Sequence, residues 1–424
     1  FRSSTLAPAI APMFVPHLLP YRKLTLKNGI EVFVIHDPTQ KVFKLDAIFE
    51  AGVYYQPQPL VASTTIQMLN EGTRLHNAEA IADLFDYYGA YVDFNCGLNK
   101  SELSLISLCK YAPQTISMVA EMLTESIVPE KELEIFLTNK RQEFLVSNEK
   151  TSYLARKKFS ALLFGEQHPY ANQIAEADYG RLTAEDVRDF YHKRIHAGHC
   201  RLMVCGNVDD TVLQTLEEHF NRLENPGQPM DAPVYPFEPA PVNRYHTEKK
   251  NAVQSSLRIG KSGVRLTDPD YAGFTLLNTV LGGYFGSRLM SNIREEKGYT
   301  YGINSFNVSM PQGSYWCVAT DINNEYVEAT IDEVVKEIRN LQSVPVPEAE
   351  LNLVKNYLQG DLLRELDGVF AQSDTLKHKL NYGLDNGIYL ELIRQIKDCT
   401  AEELMRIARQ YLKIEELYRV TAGK

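Results

Sequence analysis

Arg294 and Tyr301 are the pair of residues in this chain whose chemistry and spacing fit a common task. One is a permanent forked cation, the other a phenol that donates or accepts a hydrogen bond. Side by side they suit a peptide carbonyl, or the oxyanion that it becomes on attack. The surrounding residues 281–302 read LGGYFGSRLMSNIREEKGYTYG. Gly282, Gly283 and Gly286 mark a tight turn, Leu289, Met290 and Ile293 fall at helical spacing, and Gly298 is the natural stop. Tyr299, Tyr301 and Ile303 then read as a strand. Arg294 on the last helical turn and Tyr301 on the strand can therefore face one space. Spacing alone also allows a plainer reading: an arginine beside Glu295 and Glu296 as surface charge, and a strand tyrosine as half-core.

The elements that must hold these residues come in two sets. Proline punctuates residues 1–20 (Pro8, Pro12, Pro16, Pro20), which predicts an extended arm. Strand patterns follow at 22–26, 31–36 and 42–51, helices at 58–69 and 77–88, strands at 90–95 and 101–108, and long helices at 112–125 and 130–147. Val128-Pro129-Glu130-Lys131-Glu132-Leu133 returns 218 residues later as Val346-Pro347-Glu348-Ala349-Glu350-Leu351, and Thr183-Ala184-Glu185-Asp186 returns 217 later as Thr400-Ala401-Glu402-Glu403. Two matches at nearly one offset, each opening a helix, indicate a duplicated domain. Between the copies, 224–243 carries Pro226, Pro229, Pro233, Pro236, Pro239 and Pro241, a stiff linker. The expected division is an arm at 1–20, one domain at 21–223, the linker at 224–243 and a second domain at 244–424, each α+β with helices packed on one sheet.

Residues 281–302 resemble the second-half signature of the M16 family of zinc peptidases, the pitrilysin and mitochondrial-processing-peptidase group, M16B type. There a helix ending in Arg-Glu, a Gly, and a Tyr seven residues after the Arg supply a substrate-clamping pair, which Arg294 and Tyr301 match. The resemblance extends over nearly all of 21–424. It implies an α+β tandem duplication of LuxS/MPP-like metallohydrolase domains closing like a clam around a chamber, with Gly282 and Gly283 beside the substrate. Gly89-Ala90-Tyr91-Val92-Asp93-Phe94 resembles the edge strand to which the family's substrates add their backbone. Asp93 and Phe94 stand there for Asn and Ala, so Phe94 either narrows the substrate path or is a core-facing aromatic.

Active relatives carry His-x-x-Glu-His on a first-half helix: positions i and i+4 share a face, so both imidazoles reach one zinc and the Glu activates its water. Counting back from Met68-Leu69-Asn70-Glu71-Gly72-Thr73, which matches the family's following segment, puts Ser63 and Gln67 at the histidine positions and Ile66 at the base. A hydroxyl and an amide are poor zinc ligands, and Ile moves no proton. Glu143, at about the third-ligand spacing, survives alone. The expectation is therefore no metal or cofactor in this chain, with zinc in a partner.

Elsewhere, His192, His196 and His199 straddle a helix-to-strand junction and read as satisfied surface histidines, and Glu218-His219 has Thr215 where a first His would stand. Gly260-Lys261-Ser262 fails as a phosphate loop because Ser255 replaces the required Gly. A formal net charge of -10 with no basic block excludes a nucleic-acid partner, and no apolar run is long enough to span a membrane. Cys96, Cys109, Cys200, Cys205, Cys317 and Cys399 lack paired spacing and read as reduced thiols, favouring a bacterial-type cytoplasm. The chain opens on Phe1, which leaves a removed signal peptide and a periplasmic place open. What the resemblance implies is a non-catalytic subunit of a heterodimeric zinc peptidase, acting on peptides beside a subunit with the intact motif. A homodimer stays open, as does a purely structural or peptide-binding role like that of the core subunits of the respiratory bc1 complex.

Overall fold

The computed structural model describes residues 17–227 and 233–424. Most of the arm, including Pro8, Pro12 and Pro16, and Pro229 of the linker lie outside the described residues. One sheet contains β1 (Arg22–Thr25), β2 (Glu31–His36), β3 (Val42–Phe49), β4 (Tyr91–Cys96), β5 (Ser101–Leu108) and β6 (Cys200–Gly206), in the order β1-β2-β6-β3-β5-β4. The other contains β7 (Arg244–Glu248), β8 (Gln254–Ser262), β9 (Thr300–Met310), β10 (Gly313–Asn323) and β11 (Tyr418–Gly423), ordered β7-β11-β8-β10-β9. Without β1, the two orders are the same. The one parallel pair also recurs, β2 with β6 and β7 with β11, and the remaining pairs are antiparallel. This is an α+β fold made twice.

The first half carries helices α1 (Val61–Met68), α2 (Ala78–Tyr88), α3 (Ala112–Thr124), α4 (Glu130–Asn148), α5 (Thr151–Phe164), α6 (Ala184–Arg194) and α7 (Asp210–Phe220). The second carries α8 (Tyr271–Asn278), α9 (Val327–Ser343), α10 (Glu348–Arg364), α11 (Gly368–Leu380), α12 (Gly387–Asp398) and α13 (Ala401–Tyr411). The repeated Thr-Ala-Glu motif does what its sequence promises. Thr183 and Thr400 are N-caps, each hydroxyl accepting from an N–H three residues on, at 3.2 Å in both cases.

Each sheet buries one face under its own helices and the other under a helix of the opposite half. On the first sheet, Phe33, Ile35, Ile48, Met203 and Cys205 pack against Val369 and Leu376 of α11. On the second, Cys317, Val420 and Met310 pack against Phe159, Leu162 and Leu163 of α5. The equivalent helices α5 and α11 have thus changed places, and each fills the outer face of its twin's sheet. The end of the arm joins this exchange. The Leu19 N–H donates to Gln372 of α11 at 2.7 Å, and the Gln372 amide returns a 3.2 Å bond to the His17 carbonyl. The described part of the linker is docked too, its Glu238 and Ala240 N–H groups donating to Phe164 and Leu162 carbonyls at the end of α5.

Candidate functional site

Helix α8 runs on into a wider π-helical turn, Thr279–Gly283, so Gly282 and Gly283 end a helix rather than form the expected turn. Gly282 is buried against β9, and a Cβ there would meet the Ser305 hydroxyl at 2.7 Å and the Ser305 backbone nitrogen at 2.9 Å. Only glycine lets the two segments approach this closely. Gly282→Ala is expected to destabilise the second half by about 1–3 kcal/mol, read as a lower midpoint in urea, because the obstructing atoms include backbone.

A second π-helical stretch, Met290–Glu296, carries Arg294. Such i→i+5 turns occur disproportionately at functional sites. Ile293 is fully buried beneath it. Gly298 stops the helix at φ +67°, and the Tyr299 N–H closes back onto the Ile293 carbonyl at 3.0 Å. Neighbouring charges are engaged by the fold. Arg288 makes two 2.8 Å bonds to Glu350, which hold its pKa above the ordinary arginine value. Lys297 donates to Asn292 at 2.8 Å and pairs with Glu333 at 3.5 Å, and the Asn292 amide bonds Glu333 and Glu337 of α9. Arg294 faces the other way: its ion-pair partner is the adjacent Glu295 at 3.8 Å, and its side chain is 28% exposed.

Tyr301 reaches the same place by an irregularity in β9. Thr320 pairs with Ile303 but Ile322 pairs with Thr300, so β9 holds one residue more than β10 across this interval. The bulge breaks the alternation. Ile303 is buried, yet Tyr301, two positions before it, is 91% exposed. The Gly302 N–H donates to the Thr300 hydroxyl at 3.1 Å, and the Thr320 hydroxyl donates to the Gly302 carbonyl at 2.8 Å, tying the bulge in place. The guanidinium carbon of Arg294 then lies 5.8 Å from the Tyr301 ring centroid and 4.6 Å from that of Phe285. The structure brings Arg294 and Tyr301 together. Phe285, which nothing in its residue type singled out, stands with them.

The first-half positions are arranged differently. Helix α1 starts after Leu60, held at φ +73°, and the Ser63 hydroxyl donates to the Leu60 carbonyl at 3.0 Å. Gln67 donates its amide to the Phe94 carbonyl of β4 at 2.9 Å, and Ile66 is buried in the core. Glu143 on α4 is 63% exposed and paired with Lys140 at 2.8 Å. Among the described residues, no group of three or more His, Cys, Asp or Glu is placed to hold a metal ion. The donor set does not fit zinc. At the edge of the sheet, Phe94 packs on the first-half core while Asp93 points to solvent on the other face of β4.

His196 and His199 correct the expectation of surface histidines: both are buried, their rings 4.2 Å apart. Both His196 nitrogens are engaged by backbone, the Lys193 carbonyl at 3.0 Å and the Gly198 N–H at 3.1 Å, and burial lowers its pKa. His192 is exposed. Gly260 and Lys261 lie inside β8, with Lys261 paired to Glu416. All six cysteines are free thiols, and burial pushes Cys205 up to about 12 and Cys317 to about 11. A cleft of 1010 Å³ lies between α4 and the start of α6, floored by Leu133, Leu137 and Leu182, and none of the candidate residues lines it. No helix among the described residues is long and apolar enough to cross a membrane.

Residues 181–358 match the family model described as the peptidase M16 inactive domain. A Bacillus subtilis protein described as an uncharacterized zinc protease, YmxG, is 21% identical over 396 residues, which is 92% of this chain and 95% of that protein. A Helicobacter pylori protein described as a non-peptidase homolog, YmxG, is 22% identical over 365 residues, covering 84% of this chain and 83% of its own. Among solved structures, a peptidase M16 inactive domain from Pseudomonas fluorescens superposes with a TM-score of 0.84 at 25% identity, over 96% of this chain and 98% of that one. A protease from Helicobacter pylori shares the fold with a TM-score of 0.87 at 17% identity, over 96% and 100%.

Proposed function

We propose, from the premise that this chain is an M16 peptidase homologue without the family's zinc motif, that it is the non-catalytic subunit of a two-chain zinc peptidase. It lends Arg294 and Tyr301 to a partner that carries the His-x-x-Glu-His site. The observation that supports this is that Arg294, paired at 3.8 Å with the adjacent Glu295, lies against the exposed rings of Phe285 and Tyr301, while its neighbours Arg288 and Lys297 are bound to Glu350 and Glu333 of other helices. The guanidinium N–H groups donate to the substrate carbonyl oxygen, and the Tyr301 hydroxyl adds another donor. Both bonds strengthen as that oxygen gains negative charge, which is the condition for lowering a barrier rather than merely binding. In the same reading the outer edge of β4, at Asp93 and Phe94, pairs with substrate backbone in place of the Gln67 amide now bonded to the Phe94 carbonyl. Exposed Gly283 stands beside the substrate, while buried Gly282 lets the helix end close onto β9. The two domains divide at the linker of 224–243.

The reading is tested by mixing. Purified alone and incubated with zinc, the chain is expected to retain well under one metal per molecule by elemental analysis and to hydrolyse no peptide. Mixed with a similar-sized chain from the same source that carries His-x-x-Glu-His, it is expected to give chelator-sensitive cleavage that neither chain shows separately. Chelator-sensitive hydrolysis by this chain alone overturns the proposal.

A further inference from the structure

A phenylalanine with 65% of its surface in water gains little from the core, yet the turn that presents Phe285 is firmly built. The Ser287 N–H donates to the Tyr284 carbonyl at 3.1 Å, closing a four-residue turn with Phe285 at its tip. Tyr284 packs on the second-half core, its ring 4.8 Å from that of Tyr357. Beyond the turn, Arg288 is fixed by Glu350. The flanks are pinned and the Phe285 ring is turned outward, onto Arg294.

The Arg294 guanidinium lies 4.6 Å from the Phe285 centroid and 5.8 Å from that of Tyr301. Both are within cation–π range, and a delocalised planar cation is attracted to ring faces. Such contacts restrict a side chain that otherwise samples many rotamers, so the N–H fork is presented in fewer orientations. The ring also leaves apolar surface beside whatever the fork binds.

We infer that Phe285 is a positioning and specificity residue: it holds the Arg294 fork and offers an apolar contact to the substrate side chain next to the bound carbonyl. This rests on the reading of Arg294 and Tyr301 as a carbonyl clamp. The substrate class that follows is a peptide with an apolar or aromatic side chain at that position.

The test uses two dye-labelled nonapeptides, identical but for a central Phe or Ser, titrated against the intact chain by fluorescence anisotropy. Wild type is expected to bind the Phe peptide about tenfold more tightly, as partial burial of one aromatic ring allows. Phe285→Ala is expected to abolish that preference. Phe285→Leu, apolar but without a π face, is expected to keep the preference while weakening both peptides about 2- to 5-fold. Arg294→Ala is expected to weaken both peptides and leave their ratio unchanged. Equal binding of the two peptides by wild type, or an unchanged ratio in Phe285→Ala, overturns the role of Phe285 and leaves the clamp standing. Undiminished binding of both peptides by Arg294→Ala instead removes the clamp beneath it. Melting curves of the Phe285 variants are expected to overlay wild type, since the ring is outside the core.

Discussion

Arg294→Ala, assembled with a zinc-bearing partner, is expected to lower kcat by about 10²–10³, the usual cost of removing one donor to a developing oxyanion, and to raise KM as well through the lost contact to the bound carbonyl. Tyr301→Phe keeps the ring and removes only the hydroxyl, and is expected to fall between wild type and Arg294→Ala. Arg294→Lys keeps the charge but loses the planar fork, so it recovers only part of the rate. These variants separate chemistry from folding because neither side chain is buried. Truncating Arg294 removes cation–π attraction at a half-buried site, about 1 kcal/mol, too little to unfold a chain of this size. Turnover that is unchanged in Arg294→Ala, in a complex that still forms, would leave the chain a structural or peptide-binding homologue and nothing more.

The legibility of that site in the sequence is uneven, and the unevenness has physical causes. Helix caps and repeat offsets are local, so the duplication is readable: α5 and α11 start 217 residues apart, the offset seen in the capping motifs. Their exchange between sheets is not readable, since an apolar face announces burial without naming what buries it. Tyr299, Tyr301 and Ile303 look like one face of a strand, and the bulge that turns Tyr301 out depends on pairing with β10, over which a single strand's pattern has no say. Likewise, Arg288, Arg294 and Lys297 are equal as residue types. Arg294 is distinguished by where Glu333 and Glu350 fall in three dimensions, on α9 and α10. His196 and His199 read as surface residues because polar composition hides a turn whose backbone satisfies the His196 ring. At the first-half site, residue chemistry is enough to read the loss of the zinc site, because no geometry makes imidazoles of Ser63 and Gln67 or a base of Ile66.

Lys377 on α11 is expected to be the most costly single side chain to remove at the junction of the halves. It reaches across to the first sheet and pairs with Asp46 at 2.9 Å and Glu102 at 2.6 Å, and with its own helix's Asp374 at 3.0 Å. Asp46 is 1% exposed, and its remaining partners are Lys44 at 3.3 Å and Ser104 at 2.7 Å. Burial by itself would lower the Lys377 ammonium, but Asp46 first and then Glu102 hold it above the ordinary lysine range. A folded pKa raised above the unfolded one means the contribution is whole at neutral pH and is lost only as strongly alkaline pH passes the folded value. Lys377→Met leaves Asp46 buried with half its compensation, for which about 3 kcal/mol is expected. Lys140→Met, which breaks the exposed pair with Glu143, should cost under about 0.5 kcal/mol. Denaturant midpoints compare the two, and hydrogen exchange locates the loss: amides of 368–380 should lose protection before those of β3 and β5. Unchanged exchange there would mean that Val369 and Leu376 alone seat the helix. Loosened protection would make the exchanged helix the part that sets how the half bearing Arg294 stands against the half bearing α1, the spacing on which the proposed use of Arg294 together with the β4 edge depends.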